Sequence, residues 1–470
     1  MRHEIGFYLN GKFIQLGLDV AFLNLSQFLR EQKALVGTKI VCSEGDCGAC
    51  SVLLADNRSL RPSFKTINSC IFPVFLADNC HLVTIEGLED KALHPIQECM
   101  VDFQGAQCGF CSPGICISLA SLFEQKNEIT EKNVKNALTG NLCRCTGYRP
   151  IIDAALAAQN IQAESLTKRY LKKKHRAELS QFCQKPLTIF SGDKTLFAPN
   201  RLKQALEIKN KNPLSKVIGS GTDIGVGLNK GHLKTSTFIS LQQIPQLYQI
   251  QKMKGHVVVG AKVSLAQIEN ELKTDFRELS RLIKLFASPQ IKNVATLVGN
   301  VANGSPISDT APYLIAVGAK VMAQSIKGKR EIPVDQFYLG YKKLDLRPNE
   351  IVVGLKLPYL KKNQHVLFYK VSTRKDLDIA TVNAAFMFEQ DENKKITNVK
   401  LVYGGMGPTV MRAKNCEGLF LGQILNKELI KKGQSILLEE LSPLSDLRAS
   451  KEYRMKVAQN LLLKSYLELY

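Results

Sequence analysis

Polar and apolar residues alternate over residues 4–20, on either side of the pair Asn10-Gly11. Alternation of this length predicts two strands, and Asn-Gly between them predicts a two-residue hairpin turn. The stretch NLSQFLR (24–30) has apolar residues at helical spacing, with Asn24 or Ser26 as the candidate cap. A loop rich in Gly and Cys follows, then a strand at Ser51–Leu54 and further extended segments to about Ile85. These elements predict a small α+β domain over 1–85.

Over 92–160 the period becomes helical. Residues 94–125 predict one helix, a break at 108–114 and a second helix. Thr130 is a candidate N-cap for a third helix running to Leu138, and Pro150 sits in the first turn of a fourth. Residues 161–185 hold seven basic and two acidic residues and are expected to be a basic linker. Residues 186–360 are strand-rich with Gly-containing loops. Residues 363–470 begin with strands and end in helices, the last of them amphipathic.

The 470 residues carry a net charge of +21, but unevenly. Residues 1–160 sum to −2 and residues 161–470 to +23. The lysines are scattered rather than gathered with aromatics, which argues against nucleic-acid binding and for a solvated surface or docking to something anionic. The N-terminus lacks the apolar core of a signal peptide, and no run of 18 apolar residues predicts a membrane span. A cytoplasmic, membrane-free protein is expected.

Eleven of the 13 cysteines lie before residue 150. Cys42, Cys47, Cys50 and Cys70 form C-x4-C-x2-C followed by a fourth cysteine, the spacing of a plant-type [2Fe–2S] site. Four thiolates must wrap one compact anionic cluster, and Gly45 and Gly48 allow the backbone to fold close and donate amides. A zinc site usually has two C-x2-C pairs instead. The second set, Cys108, Cys111, Cys143 and Cys145, is compatible on spacing alone with zinc as well as with iron–sulfur. Cys80, Cys99, Cys116, Cys183 and Cys416 match no ligand position and are expected to be buried or ordinary free thiols.

The words GTKIVCSEGDCGAC, QCGFCSPG and GNLCRCTGYRPI resemble the N-terminal iron–sulfur region of the molybdenum hydroxylases, the xanthine dehydrogenase and aldehyde oxidase family. The resemblance implies that all eight of these cysteines ligate [2Fe–2S] clusters. It implies a ferredoxin-like β-grasp domain over 1–85 and a four-helix [2Fe–2S] domain over 86–160.

Two further loops bear on a nucleotide. In VIGSGTDIGVG an apolar strand enters four glycines, with Gly219, Ser220, Gly221, Thr222, Asp223 and Ile224 at its centre. Such a loop can be a plain turn, or can hold a pyrophosphate on consecutive amides. In TLVGNVANGSPISD, Asp309 could accept from a ribityl or ribose hydroxyl. Both loops resemble the flavin domain of the same family, of the vanillyl-alcohol-oxidase type. The resemblance implies FAD contacts for Thr296, Gly299, Asn300 and Asp309 in the second loop. Phe286, Val352 and Lys370 match positions beside the flavin; core packing, or a solvated strand position for Lys370, are the alternatives. Asp378 lies in DLDIATV, similar to a region near the flavin. There Leu377 stands where mammalian relatives carry an acidic residue. The resemblance thus implies an α+β multidomain chain, with an FAD-binding domain over 186–360 and a C-terminal α+β flavoprotein domain over 363–470.

A molybdopterin domain needs several hundred more residues, so the resemblance implies an iron–sulfur/FAD subunit. Its partner would be a molybdopterin-binding large subunit, in a heterotetramer of two small and two large chains. Electrons from a purine oxidised on the partner would pass from the 108/111/143/145 cluster to the 42/47/50/70 cluster, then to FAD and out to NAD, with no catalytic substrate site on this chain. Alternatives are the equivalent subunit of an aldehyde, nicotinate or carbon monoxide hydroxylase, a partner-independent flavoprotein reductase, or a structural zinc module.

Overall fold

The structure is a computed structural model and describes residues 1–59, 61–125, 129–161 and 164–470. The chain forms two compact units, 1–245 with 287–295, and 246–286 with 296–470. The division runs through the segment expected as the FAD-binding domain.

The first unit opens with the expected hairpin. Strands Ile5–Leu9 and Lys12–Leu16 pair antiparallel. Asn10 (φ 48°) and Gly11 (φ 80°) both adopt the left-handed conformation a type I′ turn requires. Cys80–Val83 joins the hairpin in parallel, and Ser51–Asp56 and Lys65–Asn68 complete a five-stranded mixed sheet. Asn24 does cap the next helix, its Oδ1 accepting from Gln27 N at 2.9 Å, but only Leu25–Gln27 is α-helical; a π-type turn, Phe28–Gln32, follows.

Four helices follow, Pro95–Asp102, Ser112–Glu124, Glu131–Ala137 and Arg149–Ala158, around one apolar core. Thr130 caps the third as expected. His94 caps the first: its Nδ1 accepts from Ile96 N while Gln97 reaches back to His94 N.

The basic segment is not a free linker. Leu166–Tyr170 and Lys173–Phe182 are helices, and residues 162 and 163 lie outside the described residues. Leu179 and Cys183 are buried with Tyr8, whose hydroxyl donates to Glu178 at 2.6 Å. The Tyr170 hydroxyl donates to Gly87 O at 2.7 Å, and Asn57 donates to Arg176 O at 3.1 Å. Leu166 and Leu179 point inward and Lys172, Lys173 and Lys174 outward, while Arg169 and Arg176 bond back to Leu88 O and Asn57 Oδ1, so charge composition concealed a docked pair of helices. A four-stranded sheet, Leu187–Ser191, Lys194–Ala198, Thr237–Ser240 and Lys216–Ile218, completes the unit. It shares an apolar core with the first sheet. Arg2 clamps them through a buried bidentate pair with Asp78 (2.7 Å to each oxygen), whose carboxylate also accepts from Gln243 at 2.6 Å.

In the second unit, strands Ile250–Met253, His256–Gly260, Ile351–Pro358, Lys320–Ser325 and Gly328–Pro333 form an antiparallel sheet. Helices also lie between these strands, including Arg277–Leu285, Leu297–Ala302 and Thr310–Ala316, so the region is less strand-dominated than its sequence suggested. Strands Gln364–Val371, Val382–Gln390 and Ile396–Gly404 then pack with helices Lys414–Phe420, Lys427–Glu440 and Lys451–Leu469 around one apolar core, in the order expected. Among the described residues no helix is long and apolar enough to cross a membrane.

His94 yields a pH prediction. Burial, then the nearby charge of Arg169, lowers its pKa from 6.5 to about 4. The folded state therefore binds fewer protons than the unfolded state between those values, and stability falls as pH drops from 6.5 toward 4. Protonated Nδ1 could no longer accept from Ile96. His94→Asn keeps a capping acceptor and removes the titration. Thermal unfolding at pH 7 and pH 5 should show a smaller acid loss in the variant, by up to about 2 kcal/mol; the remainder includes His81, also lowered to about 4 by burial.

Candidate functional site

Both thiol sets lie in the first unit. The hairpin of Ser51–Asp56 and Lys65–Asn68 puts Ser51 opposite Asn68, which brings Cys50 beside the turn Ser69–Ile71. Ser69 Oγ donates to Cys50 O at 2.6 Å and locks that approach. The Cys42 thiol meets those of Cys47 and Cys70, and Cys70 also meets Cys50. Thiols donating to them hold Cys42 and Cys50 below the usual range, while Cys47 and Cys70, as donors, are held above it. Backbone amides of Glu44 and Ala49 are directed at the sulfurs of Cys42 and Cys47, and Asn68 Nδ2 lies 3.9 Å from Cys50 Sγ. Such donors stabilise thiolate and cluster sulfur alike.

In the second set, Cys108 and Cys145 have sulfurs 3.6 Å apart, and Cys111 meets Cys143. Cys111 is the N-cap of helix Ser112–Glu124, but burial and then the contact with Cys143 push its thiol up to about 12. The loop before helix Arg149–Ala158 is pinned by Tyr148, a residue sequence reasoning did not single out. Its hydroxyl accepts from Cys143 N and donates to Asn141 O, both at 2.9 Å, and its own φ is 69°. Thr146 Oγ1 lies 3.1 Å from Cys143 Sγ.

Among the described residues no group of three or more His, Cys, Asp and Glu side chains is gathered as round a single metal ion. A [2Fe–2S] cluster makes a different demand, since each of its two irons takes two protein ligands. The second set is already paired, 108 with 145 and 111 with 143, and the first set is a chain of thiol contacts, Cys47 to Cys42 to Cys70 to Cys50. The donor chemistry of both sets fits such clusters.

The two sets meet through backbone. Leu142 N donates to Cys47 O at 2.9 Å, and Asn141 Nδ2 donates to Gly48 O at 3.2 Å. Gly48 has φ 68°, and a Cβ there would collide with Gly140 O. The sets differ in exposure. Cys50 and Cys70 are buried, whereas Cys108 and Cys145 are exposed, beside exposed Phe110 (48%) and Leu142 (52%). Of the unassigned cysteines, Cys80, Cys99, Cys116, Cys183 and Cys416 are all buried, in line with the apolar role expected of them.

The first glycine loop is shorter than its sequence implied. Strand Lys216–Ile218 ends at Gly219–Gly221, and helix Thr222–Asn229 begins at once, so Thr222, Asp223 and Ile224 form its first turn. Gly221 has φ 77°, and a Cβ there would lie 2.9 Å from Leu76 Cδ1. Turn amides leading into a helix N-terminus suit an anion.

In the second unit, Thr296 caps helix Leu297–Ala302 through Gly299 N (3.0 Å), and Asn300 Oδ1 accepts from Ser308 Oγ and Thr310 Oγ1. Lys370 is not a solvated strand lysine: its side chain is 4% exposed and its Nζ lies 2.7 Å from Asp309 Oδ2. Asp309 is accordingly less free to accept from a ribityl or ribose hydroxyl than expected. Its other oxygen accepts from Asn383 Nδ2 at 2.9 Å, a buried residue that sequence reasoning missed. The signal was a lone amide in the otherwise apolar strand Val382–Phe388. Val352 is 7% exposed in the strand Ile351–Pro358, and Phe286 ends helix Arg277–Leu285 half-buried. Asp378 instead serves its own loop, accepting from Arg374 N at 2.8 Å, while Leu377 sits at φ 54°.

Three family models match in series: a [2Fe-2S] binding domain at 84–156, an FAD binding domain in molybdopterin dehydrogenase at 190–360, and a CO dehydrogenase flavoprotein C-terminal domain at 367–469. The chain belongs to the molybdenum hydroxylase family. It carries the iron–sulfur and FAD electron-transfer domains of that family. Xanthine dehydrogenase of Emericella nidulans is 31% identical, over 93% of this chain and 36% of its own length. That of Drosophila pseudoobscura pseudoobscura is 30% identical, over 99% and 39%. The chain thus spans somewhat over a third of these relatives. Among solved structures, carbon monoxide dehydrogenase from Hydrogenophaga pseudoflava matches with a TM-score of 0.54 at 23% identity, over 57% of this chain and 94% of that one. Quinoline 2-oxidoreductase from Pseudomonas putida 86 matches at 0.53 and 20%, over 58% and 94%. These two share the fold.

Gly48→Ala tests the contact between the thiol loops. The positive φ alone costs about 1–2 kcal/mol, and the collision with Gly140 O forces the loops apart. Iron per chain should fall while FAD content holds; wild-type iron content would mean the loops need no such approach.

Proposed function

We propose that this chain is the iron–sulfur and FAD subunit of a xanthine dehydrogenase, working with a separate molybdopterin-binding large subunit in a heterotetramer of two chains each. The observation that carries the reading is the pair of four-thiol sets in one compact unit, joined by the Leu142 N to Cys47 O bond. When bound, the clusters supply one-electron transfer and FAD converts single electrons into hydride for NAD.

The chain's residues act as holders and insulators. Cys108, Cys111, Cys143 and Cys145 would hold the outer cluster, and Phe110 and Leu142, next to Cys111 and Cys143 in the chain, are exposed apolar side chains for the partner to cover. Cys42, Cys47, Cys50 and Cys70 would hold the inner one, where Cys50 and Cys70 exclude water. Gly219–Ile224 would bind the pyrophosphate of FAD on backbone amides, and Thr296, Gly299 and Asn300 its phosphate and ribityl portion. Lys370, fixed by Asp309, would set the charge beside the flavin ring, with Phe286 and Val352 as its apolar neighbours. The xanthine dehydrogenase relatives, similar over 93% and more of this chain, support the xanthine class.

The purified protein should contain about four irons per chain and, reduced, give two distinct [2Fe–2S] resonances. Cys143→Ser should remove one and leave the other; zinc bound at that set, with a single resonance in the wild type, would overturn the two-cluster reading. Gly221→Val should lower FAD content, through its φ and Leu76, without loss of iron; unchanged FAD would remove the loop from the flavin site. Native protein that never co-purifies with a molybdopterin chain would contradict the subunit assignment.

A further inference from the structure

Ala287–Ala295 interrupts the second unit in sequence, lying between Phe286 and Thr296, yet it packs within the first unit. Asn293 Nδ2 donates to Thr66 O at 2.9 Å, and Ile291 packs with Cys50, Cys70 and Ile71. Gln290 goes deepest and is fully buried. Its Nε2 lies 2.9 Å from Asn141 Oδ1, 3.2 Å from Ser51 Oγ and 3.3 Å from Ser118 Oγ. Each of these partners stands next to ligand-bearing chain. Ser51 follows Cys50, Asn141 precedes Cys143 by two residues, and Ser118 lies on the helix that Cys111 caps.

We propose that Gln290 is a positioning residue that fixes the separation and mutual orientation of the two thiol sets, and hence of the clusters they hold; this rests on the two-cluster reading above. The chemistry calls for an amide. The hydroxyl of Ser51 donates to Gly48 O and that of Ser118 to Asn141 Oδ1, both at 2.7 Å. Both serines are then left with lone pairs in a buried junction and no hydrogen to give, and Asn141 Oδ1 has room for a second donor. One NH2 group, with two hydrogens for three acceptors, serves Asn141 Oδ1 at 2.9 Å with one and shares the other between the two serine oxygens at 3.2 and 3.3 Å. Asparagine is one methylene shorter than this reach, and an apolar side chain would leave the acceptors unmet at a cost per group of about 1–3 kcal/mol. Among the described residues Gln290 Oε1 itself has no hydrogen-bond partner, and it lies against Gly140, where a Cβ would collide with it. A residue selected for packing alone would not leave a buried carbonyl unpaired. The same Gly140 therefore receives the Cys47–Gly48 loop on one side and Gln290 on the other.

The test is Gln290→Met, which keeps length and bulk and removes the donor, made in the full chain with its native partner. Iron and FAD are counted first, and the fully reduced protein is then measured by low-temperature electron paramagnetic resonance. The magnetic interaction between two reduced clusters depends on their distance and orientation. The expected result is wild-type iron and FAD with a changed inter-cluster splitting, and a smaller change of the same sense in Ser118→Ala. If Gln290→Met loses iron, the Ser118→Ala spectrum decides. Wild-type splitting with full iron content overturns the proposal, even if the variant is less heat-stable, because a purely structural residue would lower stability and leave the interaction alone. Failure of the two-cluster reading looks different: the wild-type protein itself would lack the second resonance.

Discussion

The backbone of Gly48 must pass close to that of Gly140. Residue type follows from this constraint at several positions. Position 48 needs a positive φ and no Cβ, and Gly114 on the Cys111-capped helix has no room for a Cβ either, because Gly48 O stands there. The approach lets Leu142 N reach Cys47 O, so one hydrogen bond joins chain bearing a ligand of one set to chain bearing a ligand of the other. It also creates a buried polar seam that Asn141, Ser51, Ser118 and Gln290 must satisfy among themselves. A seam of this kind is costly when half satisfied and rigid when complete.

Electrostatics divides the molecule differently from its net charge. The excess of positive charge lies after residue 160, yet several of the charged groups set into the fold there are paired with carboxylates, while Lys209 and Lys400 are held by backbone carbonyls. Lys370 is paired with Asp309, Arg330 with Asp345 and Glu350, and Arg412 with Glu417 and Asp335. The remaining lysines are largely solvated, and exposed pairs such as Lys432–Glu428 contribute little. The useful charges are those with fixed geometry. Lys370 is held by the carboxylate of Asp309, which is itself fixed by Asn383, fully buried in an inner strand of its sheet.

Local signals in the sequence were legible where a short motif carries its own geometry. Asn10-Gly11 specified its hairpin, Thr130 its cap, and the eight cysteines were brought into two sets of four. What stayed hidden depends on long-range packing. The segment 161–185 read as a linker because seven basic residues masked Leu166 and Leu179, whose burial is visible only against their partners in the folded unit. The Gly219–Gly221 loop read longer than it is, because Thr222 and Asp223 are compatible with either a loop or a helix's first turn. Gln290 lay some 150 residues in sequence from Asn141 (149) and more from Ser51 (239), and no local pattern marks a side chain whose partners are that distant.

The central claim is that both thiol sets hold two-iron clusters within one compact unit. Diffraction from crystals of the purified protein at the iron absorption edge tests it most directly. Two pairs of iron peaks are expected, one pair among the sulfurs of Cys42, Cys47, Cys50 and Cys70 and the other among those of Cys108, Cys111, Cys143 and Cys145. A single peak at the second set that vanishes at the iron edge and returns at the zinc edge would contradict it.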